Sequence, residues 1–366
     1  MNGLPLLDLH DLGNRQTGNE SWARSLAAAL FAADGAGSYD MAVSRALPAA
    51  DAALLPAART VRVSDSPTRR LAVDLPAAAR RLGSTTLLVQ YTAALSRVPT
   101  VVMVHDLSFE SPQAAQWLPL ATRLRYRATI RASVRRAAHV LTVSEFTKAD
   151  IVATYHLRSD QVTVAPNAVD PRMAALLAAT PETRGGRPTV LMIGNVLPRK
   201  NLPVVAKAVR LMRDRGEDVV LRVVGAVHPT GRRDEAVARS ELGEHVSFTG
   251  YVSRETLACE LRSAHVLAFP SLFEGFGIPA VEAMAAGLPV VVSDRTALPE
   301  VVGDAGLVVP AEDPGAWAEA LSRALEPSTA AGLVTAGKLR EAEFRWERSA
   351  VPVSALLGAS RAVPPG

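Results

Sequence analysis

Apolar residues in this chain fall into short unbroken runs, separated by Gly- and Pro-rich turns and by longer stretches with helical spacing. The runs at 4–9, 41–43, 60–63, 87–90, 100–105, 139–143 and 162–165 read as strands of a first half. Those at 190–193, 219–224, 246–249, 264–269 and 290–292 read as strands of a second half, which the 306–310 segment completes. They show little alternation of apolar and polar residues, as expected of parallel strands covered on both faces. Helices are predicted at 20–33, 122–136, 145–153 behind a Ser144 cap, 202–215, 255–263 and 279–286, and onward from about 314 and 329. Strand–helix alternation requires parallel sheets by the crossover rule, so the pattern predicts two Rossmann-like α/β domains. Residues 180–188 have the polar, Pro- and Gly-rich composition of a linker. The expected division is 1–180 and 189–347, with a final helix at 348–366 returning to the first domain.

The chemistry gathers after the run at 264–269. Pro270 stops that strand, and a loop containing Glu274, Gly275, Phe276, Gly277 and Ile278 leads to Pro279, suited to the first helical position. The free amides at such a helix start are a natural phosphate site. Glu274 at the loop entrance and Glu282 on the helix flank those amides, and each carboxylate can accept from a pair of sugar hydroxyls. Together they fit a nucleotide sugar. Arg199 and Lys200 sit at another strand-to-helix junction, where fixed cations can stabilise a departing diphosphate without a metal. His105 closes the 100–105 run and Asp106 follows it, on the side where α/β folds carry their functional loops.

The string E-G-F-G-I-P-x-x-E-A-M-A-x-G-x-P-V-V from Glu274 to Val291 resembles the donor-site signature of the retaining glycosyltransferases of family 4. Further similarities are Thr17-Gly18-Asn19-Glu20, His105-Asp106-Leu107-Ser108-Phe109, the 144–148 and 166–170 segments, and Pro198-Arg199-Lys200-Asn201. The resemblance implies a GT-B fold, two Rossmann-like domains with parallel sheets facing across a cleft. It implies that Glu282 holds the ribose, Glu274 the transferred sugar, Gly277 and the amides of Gly275, Phe276 and Ile278 the distal phosphate, and Arg199 and Lys200 the diphosphate. His105 is implied to meet the transferred sugar, and Gly18 and Asn19 to lie near donor phosphate and acceptor. Val252 is implied to lie against the base. Many relatives carry an arginine after the glycine of the 194–201 loop; here Asn195 stands there, and Arg199 is expected to supply that contact. The expected activity is retaining transfer of a hexose to a hydroxyl acceptor from GDP-mannose, UDP-glucose or UDP-GlcNAc. A sugar-nucleotide epimerase and a silent donor-binding subunit are the alternatives.

Composition narrows this reading. The 366 residues are 48% hydrophobic but only 5% aromatic, so two aliphatic, helix-rich cores are expected. A net charge of +4, without zinc spacing or a long basic tail, does not point to nucleic acid. No G-x-G-x-x-G follows the first strand, against a dehydrogenase, and no Asp-x-Asp occurs, against a metal-dependent transferase. No cofactor and no metal are therefore expected. Cys259, the single cysteine, is expected to be a small core residue of its helix. With no basic leader and no membrane-length apolar run, a cytoplasmic protein is expected. Six arginines between 122 and 136, set among Leu120, Leu124, Ala128 and Val134, predict a basic amphipathic helix suited to peripheral contact with anionic membrane.

Overall fold

The computed structural model describes residues 3–13, 18–111, 114 and 116–359. It contains two sheets in which every strand pair is parallel. The first comprises β1 (Leu6–Asp8), β2 (Asp40–Val43), β3 (Thr60–Arg62), β4 (Leu87–Gln90), β5 (Thr100–Met103), β6 (His139–Thr142) and β7 (Val162–Val164), in the order β3-β2-β1-β4-β5-β6-β7. The second comprises β8 (Thr189–Ile193), β9 (Val220–Val224), β10 (Val246–Gly250), β11 (Val266–Phe269), β12 (Val290–Ser293) and β13 (Leu307–Val309), ordered β10-β9-β8-β11-β12-β13. Both orders run outward from the first strand of the sheet and then reverse, the doubly wound arrangement. Ligands of such sheets bind at the carboxyl ends of the strands where the order reverses. These points lie between β1 and β4 and between β8 and β11.

The strands form where the unbroken apolar runs predict them because both faces are covered. Val190, Leu191, Leu267, Val291 and Val292 have no exposed surface. Around the second sheet Val205, Val209 and Met212 of the Leu202–Asp214 helix and Trp317 and Leu321 of the Pro314–Leu325 helix complete an aliphatic core. Around the first, Leu75 and Ala79 of the Leu75–Leu82 helix, with Ile130 and Val134, do the same.

The chain divides into two compact units, Met1–Asn167 with Arg345–Gly366, and Ala168–Phe344. The Pro- and Gly-rich stretch 180–188 lies inside the second unit rather than at the seam. Arg184 Nε donates to Ala264 O (2.9 Å) and the Thr183 amide to Arg262 O (3.2 Å), which anchors the stretch there. The first helix, Gly18–Asp34, starts two residues earlier than its apolar spacing suggests, so Gly18 and Asn19 are its opening residues; Thr17 lies outside the described residues. The final helix is Trp346–Ala359, and residues 360–366 of the predicted segment are likewise outside them.

One packing expectation is corrected. Cys259 is exposed, because the Arg254–Ser263 helix turns Ala258 and Leu261 to the core instead. In the arginine-rich helix, Leu120–Arg136, only Ile130, Ser133 and Val134 are buried; Leu120 and Leu124 are 66% and 55% exposed and Ala128 is exposed, while the Tyr126 ring meets that of buried Phe109 edge-on at 6.0 Å. Among the described residues, no helix is long and apolar enough to cross a membrane.

Candidate nucleotide-sugar site

In the second unit, the loops leaving β8 and β11 bring together residues 74 and 75 apart in sequence. Glu274 Oε1 accepts from Lys200 Nζ at 2.7 Å and from Arg199 Nη1 at 2.8 Å. Arg199 Nη1 also donates to Phe273 O (3.1 Å), tying the cation to the backbone beside the carboxylate. The cations and Glu274, which the motifs assign to different parts of a donor, thus form one three-membered ion pair. Burial opposes the charge on Glu274, but Lys200 first and Arg199 second outweigh it and hold the carboxyl at about 2. It is an anion at neutral pH, able to accept hydrogen bonds and unable to give a proton.

Neighbours of this cluster explain its shape. Lys200 is buried with its ammonium 4.8 Å from the centre of the Phe269 ring, and burial pushes its pKa down while Glu274 opposes the shift. Gly194, with φ at +123°, makes the space: a Cβ there would come within 3.2 Å of Lys200 Cε. Thr296 Oγ1 accepts from the Glu274 amide (3.0 Å) from a backbone at φ +54°. For a β-branched residue that is strained, a condition that collects at functional sites. Neither Gly194 nor Thr296 carries a short-range sequence signal for its role.

The loop then enters the Ile278–Ala285 helix through Gly277, whose φ of +116° and crowding do not admit a side chain; a Cβ would lie 2.7 Å from Leu298 Cδ2. Gly275, Phe276 and Gly277 are buried and Ile278 half-buried, with Phe276 packed edge-on against Phe344 at 5.3 Å. Glu282 lies one turn into this helix. Burial drives its carboxyl up to about 7; Arg254 pulls it down and Asp170 pushes it up. Arg254 is itself bound to Asp170, Nη1 to Oδ2 at 2.7 Å, which blunts its pull. Glu282 therefore sits at the edge of ionisation, unlike Glu274. Asn195 is exposed and its Oδ1 accepts from the Ala226 amide (3.1 Å), and Val252 is half-buried in the turn after β10.

In the first unit, His105 follows β5. Its Nε2 is 3.0 Å from Gln90 Oε1, and its ring stands edge-on to Trp22 (5.0 Å) and tilted against Tyr91 (5.4 Å). Burial pushes its imidazole down to about 3, so the ring is neutral at any ordinary pH. Gly18 and Asn19 open the helix that carries Trp22.

Comparison with known proteins finds matches in both halves of the chain. The family model for "Glycosyl transferases group 1" matches residues 187–327, and that for "Glycosyltransferase Family 4" matches residues 76–172. The chain is 31% identical over 260 residues to O-antigen chain mannosyltransferase B of Escherichia coli, a match spanning 68% of this chain and 67% of that protein. It is 33% identical over 272 residues to the MMP alpha-(1->4)-mannosyltransferase of Mycolicibacterium hassiacum, spanning 70% of this chain and 64%, less than two thirds, of that protein. Among solved structures, sucrose-phosphate synthase from Thermosynechococcus elongatus superposes with a TM-score of 0.75 at 22% identity, over 98% of this chain and 99% of that one. With two doubly wound parallel sheets and these matches in both halves, the chain belongs to the group 1, family 4 glycosyltransferases and has the GT-B fold.

Proposed function

We propose that the chain is a retaining glycosyltransferase that moves a hexose from a nucleoside diphosphate sugar to a hydroxyl acceptor. The observation that carries the reading is the Lys200–Glu274–Arg199 cluster at the β8/β11 reversal, beside the amides of a helix start at Gly277. Cleavage of the glycosidic bond leaves charge on the diphosphate, and two cations held by a carboxylate are already oriented to receive it. The Gly277 loop offers amides to the distal phosphate, Glu282 is assigned the ribose hydroxyls, and His105 the transferred sugar. Glu274, ionised at about 2, acts as acceptor of sugar hydroxyl protons and as fixed negative charge near the developing oxocarbenium. It serves equally a nucleophilic mechanism or a front-face attack in which the leaving phosphate takes the acceptor proton.

GDP-mannose is the first donor to offer, since both relatives above are named mannosyltransferases; UDP-glucose and UDP-GlcNAc follow. Calorimetry of each, with and without chelator, is expected to find one donor bound with metal-independent affinity. NMR of the anomeric proton during turnover is expected to show retained configuration. An inverted product overturns the mechanism, and a reversible loss of donor binding on chelation overturns the cationic clamp.

Peripheral contact with anionic membrane belongs to the same reading. The Leu120–Arg136 helix exposes Leu120, Leu124 and Tyr126 among its arginines. Sedimentation with anionic vesicles is expected to be salt sensitive and to weaken when Arg123, Arg127 and Arg131 are replaced. No binding, or binding indifferent to these changes, rejects it.

A further inference from the structure

The first sheet also reverses its order, between β1 and β4, and the residues there form a connected chain of hydrogen bonds and ion pairs. Asp11 follows β1, Gln90 ends β4 and His105 follows β5, three adjacent strands whose carboxyl ends bring these side chains side by side. Gln90 Nε2 donates to Asp11 Oδ2 at 3.1 Å, and Gln90 Oε1 lies 3.0 Å from His105 Nε2. On its far side Asp11 Oδ1 faces His10 Nε2 at 3.2 Å. His10 Nδ1 faces Asp8 Oδ1 at 3.2 Å, and Asp8 Oδ2 pairs with Arg70 Nε at 3.3 Å. Gln90, Asp8 and Arg70 are buried, so these groups cannot exchange their partners for bulk water.

We propose that Gln90 and Asp11 are positioning residues that lock His105 as its Nε2–H tautomer, so that Nδ1 is the acceptor it presents and the sugar group it meets must be a hydroxyl donating its proton. The direction of the chain follows from which atoms can donate. A carboxylate only accepts, so the amide of Gln90 must turn its NH2 toward Asp11. That turns its carbonyl oxygen toward His105, and a carbonyl oxygen also only accepts. The proton of the neutral imidazole therefore resides on Nε2, and the lone pair on Nδ1. Trp22 and Tyr91 pack against the ring and hold its plane. One change reverses the chain: an Asp11 carboxyl that carried a proton on Oδ2 would donate to Gln90 Oε1, turn the NH2 toward His105 and leave the imidazole proton on Nδ1.

This assignment rests on the reading that His105 meets the transferred sugar, and the test keeps the two apart. The full chain is labelled with 15N-histidine, and long-range proton–nitrogen spectra separate protonated from unprotonated ring nitrogens. Of the 7 histidines, His105 is identified by the signals lost in His105→Gln. The expected result is protonated Nε2 and unprotonated Nδ1 from neutral to mildly alkaline pH; burial raises the Asp11 carboxyl, so the acid side is where the reversed chain would first appear. In Gln90→Leu and Asp11→Asn the signals are expected to move toward a mixture of tautomers. In Gln90→Glu the new carboxyl and Asp11 would share one proton, and the oxygen facing His105 still accepts, so Nε2–H is expected to persist. Turnover of Gln90→Leu is expected to fall on the order of tenfold with little change in KM, the cost of one misdirected hydrogen bond. A wild-type Nδ1–H tautomer, or a tautomer unmoved in Gln90→Leu, overturns the proposal whatever the activity. Tautomers as expected, with normal turnover in His105→Gln, would instead reject the role of His105 in transfer.

Discussion

Glu274→Ala is expected to lose both turnover and fold stability, and a second substitution should separate the two losses. Turnover should fall on the order of a hundredfold or more, as when one preorganised electrostatic partner of a transition state is removed. Binding of the bare nucleoside diphosphate should not weaken, because Glu274 is assigned to the sugar and its removal releases two cations for the phosphates. The stability loss has another source. Lys200, whose side chain is 9% exposed, would be left buried without its anion, and breaking a buried pair from one side costs about 3 to 5 kcal/mol.

The sign with pH follows from the depressed carboxyl. A group lying at about 2 in the fold and near 4.5 when free contributes stability that is fully present above 4.5 and is lost as pH falls toward 2. Denaturant unfolding of wild type and variant should therefore converge across that window. Glu274→Ala combined with Lys200→Met should recover most of the stability at neutral pH and none of the turnover. A single variant as stable and as active as wild type would contradict both roles.

Glu282 is expected to do the opposite: its removal should stabilise the free protein while weakening nucleotide binding. With its carboxyl raised to about 7, the native state keeps a proton that the unfolded chain gives up near 4.5. Relative stability is thus fully present below 4.5 and is lost as pH climbs through 7. Glu282→Gln avoids that loss, gaining about 1 to 3 kcal/mol at pH 8 and nothing at pH 4, a range that allows for the partial solvent access of the side chain. Two ribose hydroxyls donate best to the ionised form, so wild-type affinity for a bare nucleoside diphosphate should rise with pH up to about 7 and then level. Glu282→Ala should weaken nucleotide and full donor alike, by roughly 1.5 to 3 kcal/mol. Calorimetry against pH checks both; affinity flat in pH and unchanged in the variant would sink the ribose assignment.

How much of this was readable from sequence varies with the range of the interaction. The residues 87–90 read as a strand and form β4 at those bounds, because an apolar run covered on both faces needs only its own composition to be recognised. The run at 100–105 overshoots. β5 ends at Met103, although the Val104 amide still bonds Leu141 O (2.9 Å). Cys259 was misplaced because a small residue carries too little hydrophobic signal to choose between helix faces when Ala258 and Leu261 adjoin it. The motifs identified Arg199, Lys200 and Glu274 as separate parts of a site. Their mutual ion pair joins loops that no local pattern connects. Gln90 and Asp11 lie 79 residues apart, and only the strand order makes them neighbours. The 180–188 stretch shows the converse failure, a linker-like composition fastened by two arginines to backbone carbonyls of the second unit: Arg184 to Ala264 O and Ala286 O, and Arg262 to Thr180 O and Ala286 O.

The returning helix sets an order of events during synthesis. Trp346–Ala359 packs on Gly18–Asp34, with Ala350, Val353 and Leu357 fully buried and Ser354 Oγ donating to Asp34 Oδ2 at 2.7 Å. Ser349 Oγ donates to Pro166 O at 2.6 Å, so the same helix fastens the last turn of the first unit as well. None of these contacts can exist until residues 168–344 have been translated, roughly 9 to 35 s of elongation at the usual rates. The half that is begun first is thus the half completed last. During that interval the apolar face of Gly18–Asp34 that the returning helix covers stays uncovered, whereas the unit carrying Glu274 and Lys200 has every segment it needs as soon as Phe344 is made.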